Sequence, residues 1–298
     1  MNKIVPLSAI DDLVNDGDSV ALGGGWFANH PMAAARQLIR AGRKGLRLIS
    51  NIGSIDVDLL VAADCVAEVS YAMVSLEAFG FANHLRRALE SGRVKAHEMP
   101  GLAMLIGLDA TGRGMPSLPY LGPFGSDLID RDPGLMRVKC PFTDKDMISV
   151  RAIEPDVALL HVTRCDEEGN AQWLGTIAPD IVMGKAAKRV IITCEKIVDR
   201  EEIVQTAAAT NLPGYYVEAV IEVPFGAHPC SHVPHYAMDA FNIWDYSEII
   251  PGDPRLPAFV AQLRGETEEE YRARVVNSEK AQILRTLVDL GRSVTEVA

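Results

Sequence analysis

The stretch SVALGGGWFANHP, residues 19–31, decides the fold of this chain. Ser19–Leu22 form a short, mostly apolar run that predicts a buried strand. Three glycines followed by Trp26 and Phe27 predict a loop. Pro31 is placed to open a helix, because the first helical position does not need the N–H that proline lacks. A strand, a glycine-rich loop and a helix in this order are typical of the α/β class.

The same alternation continues over most of the chain. Short apolar or β-branched runs, each followed by a segment of helical periodicity, predict βα units and a mostly parallel sheet. We therefore expect an open α/β fold with helices on both faces of the sheet. The further predicted strands are 46–50, 65–70, 94–99, 156–162, 190–194 and 216–223, and the predicted helices are 31–41, 56–63, 81–91, 101–113 and 179–188.

One long region departs from this alternation. Residues 114–146 are rich in proline and glycine and show no sustained periodicity. They predict a long loop, and such loops usually serve the function or an interaction. No linker divides the chain convincingly. We therefore predict one α/β domain, residues 1–250, with a helical C-terminal extension, residues 251–298.

The end of the chain is patterned as a helix from Thr267 onward. Thr267 can cap this helix, and the acidic residues after it complement the positive end of the helix dipole. Glu268 and Arg272, and Glu270 and Arg274, have the i,i+4 spacing of ion pairs. We expect one helix that carries an apolar stripe to its end.

Composition and charge argue against several classes of protein. The chain has 298 residues, of which 48% are hydrophobic, so it can bury a large core. The 29 basic and 40 acidic residues give a net charge of −11, which argues against binding nucleic acid or an anionic membrane. No apolar run approaches the roughly 20 residues that span a bilayer, and the first residues do not resemble a signal peptide. Five cysteines without a C-x-x-C pair fit a reducing cytoplasm, where we expect the protein to be located.

The glycine-rich loop is the strongest chemical signal. Glycines let a backbone approach a ligand closely, and loop N–H groups near a helix N-terminus suit an anion or an oxyanion. The loop matches neither the dinucleotide motif G-x-G-x-x-G nor the P-loop motif G-x-x-x-x-G-K-[ST]. A tight turn between packed elements is the alternative, and the pattern alone leaves both open.

Polar residues also end several predicted strands, where ligands collect in parallel α/β sheets. Glu98 ends the fourth strand beside His97, and a carboxylate there can act as a general base or a nucleophile. Glu195, Asn51 and Ser75 follow strands in the same way. A solvated or structural side chain is the ordinary alternative for each of them.

Three histidines, His228, His232 and His235, have a spacing that suggests a metal site. Pro229 and Pro234 interrupt the segment, and no carboxylate lies at a ligand-like spacing. A structural turn is therefore favoured, and we predict that these residues bind no metal.

Several segments together resemble the α-type subunit of family I coenzyme A transferases, most closely the glutaconate CoA-transferase branch. The likeness is collinear from about residue 4 to residue 250, and the ordered set is more specific than any one segment. The matching segments are ALGGGWF (21–27) with HPM (30–32), GMPSLP (114–119), AAK (186–188) with TCEKI (193–197), and LPG (212–214) with PFGAHP (224–229).

This resemblance implies an open α/β subunit that pairs with a β-type subunit, as α2β2 or larger. Such enzymes move CoA between an acyl-CoA and a carboxylic acid, and the acyl-CoA is attacked by a glutamate of the β-type subunit. CoA is a substrate there, so no permanently bound cofactor is expected. This chain would contribute an oxyanion and acyl-binding loop together with further substrate-binding residues. The loop residues are Gly24, Gly25, Trp26, Phe27 and Asn29, and the substrate-binding residues are Asn51 and Ser75.

A second branch of the same fold is the alternative. The segments VSLE (74–77) and EM (98–99) look more like the α-type subunit of hydrolases that open the last steroid rings as CoA esters. In that branch the catalytic glutamate lies on the α-type chain at the position that matches Glu98, and we expect Glu98 to lie near Gly24 and Gly25. A non-catalytic member of the fold, either a sugar-effector-binding module or a regulatory module, is the third hypothesis.

One position departs from both branches. Where they tend to carry a basic residue just before the helix-opening proline, this chain has Asn29 and His30. An arginine there could hold a substrate carboxylate through two hydrogen bonds. Its absence favours a neutral or differently shaped acyl group over a dicarboxylic one such as glutaconate.

Overall fold

The strand predicted at residues 19–22 lies at the centre of a parallel sheet in the computed structural model, which describes residues 2–122 and 124–295. Side chains are described as far as residue 290. The described strands are β1 (Ser19–Leu22), β2 (Leu46–Gly53), β3 (Val66–Val74), β4 (Lys95–Glu98), β5 (Ser117–Tyr120), β6 (Leu135–Lys139), β7 (Asp146–Arg151), β8 (Val157–Cys165), β9 (Ala171–Gln172), β10 (Arg189–Ile197) and β11 (Ala219–Glu222).

Helices connect most of these strands and form the end of the chain. Short 3-10 turns at Leu7–Ala9, Glu77–Phe79, Ala207–Ala209 and Gly214–Tyr216 lie between them. The described helices are α1 (Ile10–Leu13), α2 (Met32–Arg40), α3 (Ile55–Ala62), α4 (Asn83–Glu90), α5 (Gly101–Gly112), α6 (Leu128–Arg131), α7 (Asp180–Ala186), α8 (Arg200–Gln205), α9 (Ala240–Ser247), α10 (Leu256–Gly265), α11 (Glu268–Val275) and α12 (Ser278–Thr295).

The main sheet has the strand order β11-β10-β8-β1-β2-β3-β4, and these seven strands are parallel. The short strand β9 pairs antiparallel with β8. Val20 of β1 lies opposite Leu48 of β2 on one side and Val157 of β8 on the other. Because all seven strands run the same way, their carboxyl ends meet at one edge of the sheet, which we call the carboxyl edge.

Each face of the main sheet is covered by helices, as predicted. The side chains of Val20 and Leu22 join a core with α2, α3 and the C-terminal helices. Ala21, which points the other way along the same strand, joins a second core with α5 and α7. Two apolar faces explain why β1 reads as a continuous buried run rather than as an alternation.

The prediction of a long loop at residues 114–146 was wrong. This region and the residues just after it form a three-stranded antiparallel sheet in the order β5-β7-β6, with α6 between β5 and β6. Ile148 and Val150 on the central strand are buried. Pro119 lies on the edge strand β5, where a residue without an N–H is tolerated. Prolines at such positions hid the alternation in the sequence.

The single helix expected after Thr267 is two helices, α11 and α12. Thr267 does cap α11, since its hydroxyl accepts the amide of Glu270, whose carboxylate in turn accepts the amide of Thr267. The expected pairing of Glu268 with Arg272 was wrong. Glu268 is buried and accepts hydrogen bonds from Arg36 and Arg40 of α2 instead.

The other expected pair in this helix was also wrong. Arg274 donates to Glu266 at 2.7 Å rather than to Glu270. Side chains of α10, α11 and α12, among them Leu263, Val275 and Leu284, join the same core as α2. The division of the chain at residue 250 stays a prediction. Among the described residues, no helix is long and apolar enough to cross a membrane.

Candidate active site

The carboxyl edge of the main sheet carries nearly all the residues singled out from the sequence. The glycine-rich loop follows β1, Asn51 lies near the end of β2, Ser75 follows β3 and Glu98 ends β4. Adjacent strands are about 4.8 Å apart, so Glu98 lies three strand spacings, about 14 Å, from the strand that leads into the loop. The loop itself lies against β2, since a Cβ on Gly25 would be 3.7 Å from Ile52 Cβ, so the expectation that Glu98 lies near Gly24 and Gly25 stays a prediction.

The glycine-rich loop is a tight hairpin. The Gly25 amide donates to the Ala28 carbonyl at 2.9 Å, and the Ala28 amide donates back to Gly25 at 3.0 Å. Trp26 and Phe27 form the tip, and Trp26 has the left-handed φ of 54° that non-glycine residues rarely adopt. Gly24 has a φ of 83°, and a Cβ there would lie 2.6 Å from the Ala28 carbonyl oxygen.

The amide of Gly24 has an internal acceptor as well. It donates to Oδ1 of Asp180 at 2.9 Å, and Oδ2 of the same carboxylate accepts the Ala178 amide. Asp180 is fully buried at the start of α7, and burial raises the pKa of its carboxyl. Both Gly24 and Gly25 thus use their amides within the chain, which departs from the expectation that these two amides face an oxyanion.

The side chains of the loop point in different directions. Trp26 is 50% exposed at the carboxyl edge. Phe27 is buried, and its ring packs edge-on against Phe79 with centroids 5.6 Å apart. Asn29 is buried and its side-chain amide donates to the Thr176 carbonyl at 2.5 Å. Of these side chains, Trp26 is therefore the one that a ligand at the edge can reach.

A buried histidine, which sequence reasoning noted only as a departure, lies directly beneath this hairpin. His30 Nδ1 lies 2.9 Å from Oδ2 of Asp56, and His30 Nε2 lies 2.7 Å from the Trp26 carbonyl oxygen. Burial lowers the pKa of His30, but the charge and hydrogen bond of Asp56 outweigh it and the pKa is raised. We call His30, Asp56 and Asp180 the loop cluster.

Asn51 and Ser75 lie at the same edge on neighbouring strands. Asn51 is buried, and its side-chain amide donates to the Gly101 carbonyl at 2.8 Å, at the start of α5. The Ser75 hydroxyl is partly exposed and accepts the Glu77 amide at 2.9 Å. The structure brings both residues to the edge, whereas their binding roles stay predictions.

Glu98 is an exposed side chain at the end of the outermost strand β4. It lies opposite Tyr71 of β3 in the parallel register, so the two side chains share a face of the sheet. Burial and the Glu98 charge raise the pKa of Tyr71. Its neighbour His97 points to the other face, where its Nε2 lies 3.0 Å from Oδ2 of Asp132, and the Asp132 carboxylate raises the pKa of His97.

Glu195 is buried, and its hydrogen-bond partners all lie within the chain. Its carboxylate accepts hydrogen bonds from the Tyr236 hydroxyl at 2.7 Å, the Phe225 amide at 2.9 Å and the Gly226 amide, and lies 2.9 Å from His161 Nε2. Burial raises the pKa of Glu195, but these hydrogen bonds, His161 foremost, lower it to about 2. We call Glu195, His161 and Tyr236 the turn cluster, because it holds the turn after β11.

The histidines considered as metal ligands are part of hydrogen-bonded cores. His228 is buried between the Tyr271 hydroxyl at 3.0 Å and Asp239 at 3.1 Å. His232 is buried, with its Nε2 3.1 Å from the Thr163 hydroxyl. In the described part of the chain, no group of three or more potential ligands is arranged to hold a metal ion.

This fold is shared with a family of known enzymes. The family model for Coenzyme A transferase matches residues 6–223, and the chain belongs to that family. It is 32% identical over 245 residues to one subunit of the 3-oxoadipate CoA-transferase of Pseudomonas knackmussii, covering 80% of this chain and 85% of that one. It is 30% identical over 282 residues to the cholesterol ring-cleaving hydrolase IpdA subunit of Rhodococcus jostii, covering 90% and 94%.

Another relative is longer than this chain. It is an uncharacterized protein of Archaeoglobus fulgidus, 31% identical over 287 residues, and the match covers 86% of this chain but 64% of that protein. Two solved structures share the fold. Glutaconate coenzyme A-transferase from Acidaminococcus fermentans superposes with a TM-score of 0.89 at 24% identity, covering 95% of both chains. The decarboxylase AibA/AibB superposes with a TM-score of 0.79 at 30% identity, covering 89% of this chain and all of that one.

Proposed function

We propose that this chain is the α-type subunit of a two-subunit enzyme that transfers CoA from an acyl-CoA to a carboxylic acid. The observation that carries the proposal is the arrangement of carboxylates around the hairpin. Asp56 and Asp180, beneath the hairpin, are buried and hydrogen-bonded, while Glu98 lies three strands away. This arrangement supports a nucleophilic carboxylate that comes from a second subunit, as the resemblance to α-type transferase subunits implies.

The proposed reaction exchanges one thioester for another. The partner's glutamate attacks the thioester carbonyl and releases CoA thiolate, which leaves a mixed anhydride. The thiolate then attacks the glutamyl carbonyl of the anhydride, which forms an enzyme thioester and releases the first acid. The entering carboxylate takes the CoA by the same two steps in reverse. This chain supplies the wall that holds the acyl group next to Trp26.

The structure favours an acyl group without a second carboxylate. Asn29 is engaged with the Thr176 carbonyl, and His30 is buried against Asp56. Neither side chain can therefore offer a positive charge to a substrate at the edge. Since a carboxylate is bound most strongly by a paired cation, we propose a neutral acyl group for the acyl-CoA.

Trapping of the covalent intermediate tests the transferase proposal. The chain is co-expressed with a β-type CoA-transferase subunit, incubated with an acyl-CoA and treated with borohydride, which reduces a glutamyl thioester to an alcohol. We expect mass spectrometry to find one reduced glutamate, on the partner, and turnover to require an acceptor acid. Turnover without an acceptor and without a trapped partner glutamate would overturn the proposal.

The second candidate function is hydrolysis of a cyclic CoA ester with Glu98 as the catalytic residue. The exposed position of Glu98 at the carboxyl edge favours it, as does the match to the IpdA subunit over most of both chains. Glu98→Gln distinguishes the two, with Glu77→Gln as a matched control, because Glu77 is another exposed glutamate at this edge. The hydrolase hypothesis expects loss of nearly all turnover in the first variant alone, and the transferase proposal expects a partial effect.

A further inference from the structure

The peptide between Trp26 and Phe27 is in contact with a buried histidine on the inner side of the hairpin. Its carbonyl oxygen lies 2.7 Å from Nε2 of the buried His30. In a planar trans peptide the carbonyl and the N–H point in opposite directions. Because the carbonyl is directed inward to His30, the amide of Phe27 is directed outward from the hairpin.

Among the described residues, two donors at the tip of the hairpin have no acceptor within the chain, the amides of Trp26 and Phe27. The amides of Gly24, Gly25, Ala28 and Asn29 all donate to acceptors within the chain. Of the two unpaired amides, that of Phe27 is the one whose direction is fixed by the contact between His30 and the Trp26 carbonyl. Because Phe27 is buried and its outward amide has no partner within the described part of the chain, this amide is available to a ligand oxygen at the carboxyl edge.

The hydrogen bonds of His30 define its protonation state. Its two ring nitrogens face a carboxylate oxygen of Asp56 and a carbonyl oxygen, both of which accept hydrogen bonds. A neutral imidazole has one N–H and can satisfy one of them, whereas the imidazolium satisfies both. Asp180 of α7 also faces His30, and the thiol of Cys230 lies close to Asp56. The pKa of His30 is raised, which agrees with a charged ring.

We propose that His30 and Asp56 are positioning residues that hold the Trp26–Phe27 peptide so that the Phe27 amide donates to the carbonyl oxygen of the bound thioester. This inference rests on the proposed function. It moves the oxyanion donor from the glycines to the tip of the hairpin, where the backbone at Trp26 is left-handed. A left-handed backbone at a non-glycine residue persists only where its surroundings enforce it, and the contact of His30 with the Trp26 carbonyl adds to the constraint of the Gly25–Ala28 hydrogen bonds.

A measurement without turnover tests the arrangement itself. In the full chain labelled with ¹⁵N-histidine, we expect both ring nitrogens of His30 to be protonated at pH 7. With 5-fluorotryptophan in the same chain, His30→Ala should shift or broaden the ¹⁹F resonance of Trp26 and leave those of Trp173 and Trp244 unchanged. A neutral His30 ring, or an unmoved Trp26 resonance, would overturn the positioning role.

Kinetics of the complex with its partner subunit test the catalytic consequence. Loss of one oriented oxyanion donor lowers turnover about 100-fold, so His30→Ala should lower kcat by that order with a smaller change in KM. His30→Gln should recover part of the rate, because its amide can donate to the same carbonyl. His84→Gln is the control, since His84 is also buried with its Nε2 2.6 Å from a backbone carbonyl, but this carbonyl belongs to Ile249 and not to the hairpin.

The pH profile separates positioning from a merely structural role. The wild-type kcat should fall as the pH rises through the pKa of His30, because the neutral ring can no longer donate to both acceptors. Asp56→Asn removes the charge that raises this pKa and should move the fall to lower pH. An unchanged profile in Asp56→Asn, or a His30→Ala rate equal to that of His84→Gln, would overturn the inference. Absence of transfer by the wild-type complex would instead overturn the proposed function, while the NMR result stands.

Discussion

The two buried clusters at the carboxyl edge both lie beneath a left-handed non-glycine residue, but they differ in how the amides near that residue are hydrogen-bonded. Trp26, above the loop cluster, has a φ of 54°, and Phe225, above the turn cluster, has a φ of 61°. In the turn cluster, Glu195 accepts the Phe225 amide directly, and the aromatic ring is buried. In the loop cluster, the buried groups hold a carbonyl, the Phe27 amide is unmatched and Trp26 is half exposed. Where the amides beside a left-handed residue all donate within the chain, the residue stabilises the fold. Where one such amide has no acceptor within the chain, it is available to a ligand.

The largest expected effect is on the stability provided by the turn cluster. Glu195→Ala leaves the His161 ring and the Tyr236 hydroxyl without their buried acceptor. We expect the free energy of unfolding to fall by about 3–5 kcal/mol, measured by chemical denaturation. The control is Glu222→Ala, an exposed glutamate on β11. Equal losses in the two variants would contradict a structural role for the cluster.

A steric substitution in the loop should have the next largest effect. Gly24 and Gly17 both have positive φ, 83° and 79°, but a Cβ at position 24 meets the Ala28 carbonyl, while nothing lies within 4 Å at position 17. Both alanine variants share the backbone cost. Gly24→Ala should therefore destabilise the chain by about 1–3 kcal/mol more than Gly17→Ala, measured by thermal unfolding of both. Equal melting temperatures would show that the hairpin adapts without cost.

Acid should weaken the turn cluster in a defined range. The pKa of Glu195 is about 2 in the folded chain, below its ordinary value of 4.5, so the carboxylate stabilises the fold above pH 4.5. This contribution is lost as the pH falls from 4.5 toward 2. Denaturation of the wild type at pH 5 and pH 3 should show the decrease, and Glu195→Gln should show a smaller one. An equal decrease in both would assign the acid sensitivity to other carboxylates.

The smallest expected effect on stability is at the tip of the hairpin. Trp26→Gly removes a half-exposed ring but also relieves a left-handed backbone, so the unfolding free energy should change by less than about 1 kcal/mol. The KM for the acyl-CoA should rise several-fold, because the acyl wall is lost. Trp244→Ala, an equally exposed tryptophan on α9, should leave KM unchanged. A large loss of stability in Trp26→Gly would make the residue structural.

Local signals predicted much of this architecture. The strand at 19–22, the helix that begins just after Pro31 and the cap at Thr267 depend on residues a few positions apart, and the structure has all three. The antiparallel sheet β5-β7-β6 was missed, because its pairs join Ser117 with Arg151 and prolines interrupt the pattern. One ion pair of the last helices was misassigned for the same reason, since Glu268 pairs with Arg36, 232 residues away.

The sequence by itself determined the α/β class, the resemblance to a transferase subunit and the edge at which polar residues gather. Each of these depends on local patterning or on a collinear order of segments. Only the tertiary structure decided which loop amides are used internally, because the acceptor of the Gly24 amide is Asp180, 156 residues away. The tertiary structure also decided the role of His30, because only folding places Asp56 beside its ring and raises its pKa.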